Sequence, residues 1–162
     1  MLGIITLGDG ILKKKSVPIK DFDGPLKKLI EDMFGSLSAA KGVGLAAVQV
    51  GELVRLFITK APKDSLRVFI NPEIVETSIE QEDFEEGCLS IPGINADVTR
   101  PSSIRIQAWN EKGKPFSLTA EGYLARIIQH EIDHLNGILF IDRLDKRLRE
   151  QAVDDYEERV RL

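Results

Sequence analysis

The chain carries only two histidines, and they stand four residues apart in Gln129-His130-Glu131-Ile132-Asp133-His134. On a helix, positions i and i+4 share one face with Cβ atoms about 5–6 Å apart, so two imidazoles can converge on a single ion. Glu131 lies one step round the axis, where its carboxylate reaches a water at the ion without binding the ion itself. The residues around this cluster are largely apolar, and a buried, unpaired glutamate in such a setting is costly. The pattern predicts a metal-dependent hydrolytic site built on His130 and His134, with Glu131 as general base. Asp133 fits a salt-bridge partner or an orienter of histidine as well as it fits a catalyst.

Two imidazoles do not complete such a site. A catalytic zinc or iron centre commonly takes three protein ligands and leaves a fourth position for water. No third histidine exists, and the downstream carboxylates Glu150 and Asp154 fall in a densely charged tail. The remaining candidate is the single cysteine, Cys88, in Glu85-Glu86-Gly87-Cys88-Leu89-Ser90. A lone cysteine is more often a small buried hydrophobe. Beside two imidazoles that lack a third ligand, it is instead expected to bind as a thiolate. Gly87 would let the backbone bend closely there.

A third feature is Gly42-Val43-Gly44-Leu45-Ala46-Ala47-Val48-Gln49. Its small side chains leave peptide groups free to pair with an incoming peptide as an added strand. Gln49 could turn an amide N–H towards a developing oxyanion. The same run also reads as a glycine-capped helix leading into a small-residue core strand.

The elements that must position these residues follow from the hydrophobic periods. Asp21 to Ala40 places Leu26, Leu29, Ile30, Met33, Phe34, Leu37 and Ala40 at spacings of three and four. That predicts an amphipathic helix with Asp23 as N-cap and Gly42 as its C-terminal stop. Val54–Lys60, Leu66–Asn71, Glu73–Ile79, Ser103–Trp109 and Pro115–Thr119 are short runs rich in β-branched and aromatic residues, separated by turn signals. They predict strands, mostly antiparallel because the connections are too short for crossover helices. A second helix is predicted from about Gly122 to Leu135, apolar on nearly all sides and therefore central. The tail from about Leu144 predicts a surface helix docked through Leu148, Ala152, Val153, Tyr156 and Val160. The expected fold class is α+β: short antiparallel strands packed around a buried central helix carrying both histidines, with an N-terminal amphipathic helix and a C-terminal helix. One domain over residues 1–162 is expected, as 162 residues suggest.

Composition narrows the function. The charge sum of 22 basic against 26 acidic residues gives −4, which supplies no global basic field to draw in nucleic acid. Hydrophobic residues make up 43%, yet no stretch approaches the 18 or so apolar residues of a membrane span. Met1 to Gly10 does not read as a secretory signal, and one cysteine cannot form an internal disulfide, so a reducing, intracellular setting is expected.

Taken together, Gly42–Gln49, Glu86–Ser90 and Gln129–His134 resemble the three signature motifs of peptide deformylases, in the family's order. The likeness runs over nearly the whole chain, including Gly8-Asp9 and the helical tail. It implies removal of the formyl group from the N-terminal formylmethionine of nascent polypeptides, with release of formate. It implies one divalent metal ion on Cys88, His130 and His134, natively Fe²⁺, with Zn²⁺, Ni²⁺ or Co²⁺ as substitutes. Glu131 matches the general base and acid, and Gln49 and the backbone N–H of Leu89 match the groups that hold the formyl oxygen. Val43, Gly44, Glu86 and Gly87 match positions around the substrate backbone and methionine pocket, and Tyr123, Arg126 and Ile127 would line that pocket or its rim. The implied partners are N-formylmethionyl peptides emerging at the ribosome, in a bacterial-type cytoplasm. Val48 and Gly10 stand where many members carry proline, and Asn95 where relatives often carry arginine or an aromatic residue. These departures bear on the shape of the groove, not on the ligands. A metallopeptidase cutting internal peptide bonds would share the two-histidine logic, and a binding module with a structural metal is a third reading. The presence of both Glu131 and Gln49 argues against the binding module, and deformylation is the favoured reading.

Overall fold

A computed structural model describes residues 2–162 of the protein. Met1, part of the expected 1–162 domain and of the N-terminal stretch read for a signal, lies outside them. In chain order the principal elements are α1 (Gly24–Ala39), β1 (Gly44–Ala46), β2 (Leu56–Thr59), β3 (Arg67–Thr77), β4 (Gln81–Cys88), β5 (Ile91–Pro101), β6 (Ser103–Trp109), β7 (Pro115–Glu121), α2 (Gly122–Leu135) and α3 (Lys146–Arg161). Strands β1-β2-β3-β6-β7 form one five-stranded sheet in that order, and β4-β5 form a separate two-stranded sheet. Every pairing between named strands is antiparallel.

Successive side chains on a strand point to opposite faces, and β2 uses both. Phe57 faces a cluster with Phe69, Ile104 and Ile106 that packs on Ala125, Ile128, Ile132 and Leu135 of α2. Leu56 and Ile58 face the other way, onto Leu26, Ile30, Met33 and Leu37 of α1. The sheet is thus covered by α1 on one side and by α2 on the other. Residues Ala125 through Leu135 of α2 are all buried. Arg126, Gln129, His130, Glu131, Asp133 and His134 are polar or charged among them, so the helix is central as expected but apolar on one stripe rather than on nearly every side.

The Asp23 side chain caps α1, accepting from the Leu26 N–H at 3.1 Å, and Pro25 sits in the first turn where its missing N–H costs nothing. The helix end differs from expectation. Lys41, not Gly42, takes the left-handed conformation with φ 55°. The Gly42 N–H then closes onto the Leu37 carbonyl at 3.1 Å and that of Lys41 onto Ser38 at 3.1 Å, which is a Schellman arrangement. Gly42 keeps this turn close to its neighbours: a Cβ there would lie 2.8 Å from Leu89 Cδ1 and 2.9 Å from Leu37 Cδ1, and those side-chain ends would have to shift.

The runs at 66–71 and 73–79 form one strand rather than two. At the junction Asn71 has φ 49°, and the register to β6 shifts between Ile70 and Glu73. The Asn71 amide compensates for the broken ladder by accepting from the Ile19 N–H and donating to the Ile19 carbonyl, both at 2.8 Å. On α3, only Ala152 and Tyr156 are buried. Leu148 and Val160, expected on the docking face, are 47% and 61% exposed. The helix touches the body along one narrow line, against a cluster formed with Ile91, Val98 and Phe140.

Candidate metal centre and its cleft

The metal-ligating side chains converge from two elements far apart in sequence. α2 presents His130 and His134, with ring centroids 5.1 Å apart and planes at 68°. β4 ends on Cys88, whose Sγ lies 3.3 Å from His134 Nε2. One ligand atom from each of Cys88, His130 and His134 lies within 4.8 Å of the others. Glu131 is 3% exposed beside them, and burial pushes its carboxyl up to about 7.

This donor set fits a divalent ion. A thiolate with two imidazoles suits zinc, iron, cobalt or nickel. Among the described residues Glu131 Oε1 and His134 Nδ1 are buried without hydrogen-bond partners, and an unpaired buried carboxylate oxygen next to a cation and its water is no longer a liability. His130 Nδ1 is 2.9 Å from Glu86 Oε1. With Glu86 ionised, Nδ1 carries the proton and Nε2 keeps its lone pair for a metal.

Glu86 is held in turn. Arg100 donates to it through Nε at 2.6 Å and through a terminal nitrogen at 3.0 Å, and Arg126 donates at 2.8 Å. Burial alone would raise the Glu86 carboxyl. The hydrogen bonds from His130 and Arg100 outweigh it and draw the group down to about 2. Arg100 also donates to Asp133 at 2.8 Å, and Arg143 grips Asp133 at 2.7 and 3.0 Å. Asp133 is therefore a salt-bridge partner. Burial pushes the His134 imidazole well below its usual range, with the Arg100 guanidinium and, in the metal-free protein, a His130 held protonated by Cys88 and Glu86 pushing the same way. His134 is thus the neutral ring a metal needs, while His130 gives up its Nε2 proton on binding one.

A cleft of about 560 Å³ opens over this centre. Of the expected site residues, Val43, Gly44, Gln49, Glu86, Gly87, Cys88, Leu89, Tyr123, Arg126, Ile127, His130 and Glu131 all line it. His134 is not among the lining residues and is fully buried. One wall is the segment entering β1, the edge strand of the large sheet. Its close approach to α2 depends on Gly44, where a Cβ would meet Glu131 Oε2 at 2.6 Å and Ile127 Cγ2 at 2.9 Å. Only Gly44–Ala46 of the small-residue run is strand; Ala47–Val50 turns as a single 3-10 turn. The other wall is the β4–β5 hairpin, which the sequence reading missed together with its Phe84, Ile91 and Ile94 contributions to the lining. Phe84 pairs with Tyr123 at 5.6 Å between ring centroids and lies 5.7 Å from the Arg126 guanidinium carbon. Arg126 itself turns away from the opening, donating to the Val98 and Glu82 carbonyls at 2.7 and 2.8 Å as well as to Glu86. Arg100, the other residue missed, carried no local motif and is legible only through its contacts.

A buried helix offering two imidazoles and a glutamate, met by a thiol at the head of an open cleft, is the layout of a mononuclear metal-dependent hydrolase. Comparison with known proteins narrows the class. The family model for polypeptide deformylase matches residues 1–150. Peptide deformylase from Treponema pallidum (strain Nichols) is 47% identical over 150 residues, covering 93% of this chain and 92% of that protein. Peptide deformylase from Brucella suis is 41% identical over 158 residues, covering 95% and 90%. The crystal structure of a peptide deformylase from Legionella pneumophila superposes with a TM-score of 0.94 at 42% identity, covering 99% of this chain and 96% of that one. That of the Ehrlichia chaffeensis enzyme in complex with actinonin gives 0.95 at 37% identity, covering 99% and 98%. The chain belongs to the polypeptide deformylase family. It is a metal-dependent hydrolase of the α+β class, acting in N-terminal processing of new polypeptides. No helix among the described residues is long and apolar enough to cross a membrane.

Proposed function

We propose that the chain as a single domain hydrolyses the N-formyl group of formylmethionyl peptides, with Cys88, His130 and His134 holding one Fe²⁺ natively and Zn²⁺, Ni²⁺ or Co²⁺ as substitutes. The observation that carries this is the convergence of three ligand atoms within 4.8 Å beside a buried carboxyl poised at about 7. A divalent ion at that point supplies a water acidified towards neutrality and polarises the carbonyl to be attacked.

The protein's own residues do the rest. The edge of β1 offers backbone groups to an extended substrate, and the Phe84–Tyr123 side of the cleft takes the methionine side chain. Glu131 removes the proton from the attacking water as its oxygen bonds to the formyl carbon. Charge develops on the formyl oxygen, where Gln49 Nε2–H and the Leu89 N–H meet it; one such donor is commonly worth about 3–4 kcal/mol of barrier. When the carbon–nitrogen bond breaks, Glu131 passes its proton to the leaving amine, giving formate and a free N-terminus. Nascent chains at the ribosome, in a bacterial-type cytoplasm, are the source of substrate.

The test is formate release from formyl-Met-Ala by the wild type and by Glu131→Gln. The wild type releases formate and leaves the Met-Ala bond intact. Glu131→Gln retains its metal and loses at least about a hundredfold in kcat. Internal cleavage by the wild type, or full turnover by the variant, refutes the reading.

A further inference from the structure

We propose that Ser90 is a positioning residue that orients the Gln49 amide for catalysis. The inference rests on the reading of Gln49 as a donor to the formyl oxygen.

A glutamine in an oxyanion site has an ambiguity to resolve, since its terminal torsion is soft and either the oxygen or the nitrogen can face the reacting atoms. Facing the oxygen inward would repel the developing charge. Here both ends of the amide are committed. Gln49 Oε1 accepts from the Ala46 backbone N–H at 2.9 Å. A backbone N–H can only donate, so the oxygen end is fixed away from the cleft. Nε2 has two hydrogens: one reaches Ser90 Oγ at 3.0 Å, and the other lies towards Cys88 Sγ at 3.6 Å. The amide plane is thereby set so that a single N–H looks towards Cys88, one of the three proposed ligands.

Ser90 is fully buried and Gln49 is 1% exposed, so the hydroxyl contact is shielded from bulk water. Ser90 does not line the cleft; its backbone N–H donates to Cys88 Sγ at 3.4 Å, a contact that Ser90→Ala leaves in place, whereas its hydroxyl meets Gln49. The N-terminal segment clamps both backbones, Ile5 N–H donating to the Gln49 carbonyl at 2.7 Å and Leu7 N–H to the Ser90 carbonyl at 2.8 Å. A preorganised donor costs no reorganisation when charge appears, and the hydroxyl is the part of that frame a single substitution can remove.

The experiment is a double-mutant cycle in kcat and KM for formyl-Met-Ala, using Ser90→Ala, Gln49→Ala and both together. Ser90→Ala is expected to lower kcat by about tenfold with KM and metal content unchanged. In the Gln49→Ala background the same change is expected to have no further effect. Unchanged kcat in Ser90→Ala, while Gln49→Ala is impaired, overturns the role of Ser90 alone. An equal loss in both backgrounds also overturns it, because the hydroxyl then acts by another route. Unimpaired Gln49→Ala overturns the reading of Gln49 and this inference with it. Should Ser90→Ala not fold, nitrogen-15 NMR of the Zn²⁺-loaded wild type decides. One protected and one exchanging Gln49 side-chain proton supports the arrangement, and two freely exchanging protons refute it.

Discussion

Glu86 Oε1 lies 2.9 Å from His130 Nδ1, and the same carboxylate is held by the buried guanidiniums of Arg100 and Arg126. Glu86 lines the cleft, and its carboxylate faces the back of an imidazole. Its charge fixes the tautomer of that ring, and the two arginines hold the charge in place. With the Arg126–Glu86, Arg126–Glu82 and Cys88–His134 contacts, the Glu86–His130 contact ties the thiol-bearing strand β4 to the helix that carries both histidines.

Glu86→Gln keeps the shape and removes the charge. Its amide can present oxygen to His130 only by turning its N–H groups towards arginine. The expected result is a 10- to 100-fold weaker hold on the metal, measured as the chelator concentration that half-inactivates the enzyme. Metal affinity equal to wild type would mean that the Glu86–His130 contact does not tune the ligand.

In the metal-free protein the same group predicts an acid limb of stability. The Glu86 carboxyl falls from an ordinary 4.5 to about 2 on folding. A depressed carboxyl contributes fully above about pH 4.5, and the contribution disappears as pH falls towards 2. The size is on the order of 3 kcal/mol for a shift of this kind. Denaturant unfolding of the metal-free wild type from pH 6 to 2 should steepen its decline below pH 4.5, and the metal-free Glu86→Gln protein should lack that component.

How much of this was readable beforehand depends on locality. α2 was legible because its apolar period and its His130–His134 spacing are properties of one continuous helix. α1 was legible for the same reason, although its terminal turn placed the left-handed residue on Lys41, which carries none of the permissiveness of the glycine beside it. The β4–β5 hairpin was not. Gln81-Glu82-Asp83-Phe84-Glu85-Glu86 shows no apolar alternation, since β4 is exposed along most of its length and its buried residue is a glutamate. The partner that makes Glu86 affordable in the interior, Arg100, stands across the hairpin and has no local signature. Asn71-Pro72 misled for a related reason. Both residues are turn formers, but the contact of the Asn71 side chain with Ile19, 52 residues away, carries the chain through as a bent strand.

If Cys88 is a ligand, metal and fold are linked. Cys88 Sγ bridges β4 to α2 within 3.3 Å of His134 Nε2, so an ion held there binds the native state alone and stabilises it by mass action. Ion at a hundredfold excess over its Kd should stabilise by about 2.7 kcal/mol. Chelation should therefore lower the wild-type Tm by several degrees. Cys88→Ala should begin at the lower Tm and show no further fall with chelator. A Cys88→Ala protein that still responds like wild type would exclude the sulfur from the ligand set.

Gly44 offers a separate probe of the base. The residue was expected beside the substrate backbone, and it does line the cleft, but its missing side chain also gives room to Glu131. A methyl group there would sit 2.6 Å from Glu131 Oε2 and 2.9 Å from Ile127 Cγ2, well inside van der Waals contact. The carboxylate must swing, because the other neighbour is a branched side chain on the buried face of α2. A displacement of about 1 Å in a catalytic group commonly costs around a hundredfold in rate. Gly44→Ala should therefore lose about that factor in kcat while holding its metal, since no proposed ligand atom is within the distances that a Cβ at this position contests. Metal content by elemental analysis, set beside formate release, separates the two effects. A Gly44→Ala enzyme that loses its metal in proportion to its activity would show that the glycine serves the ion's site rather than the base.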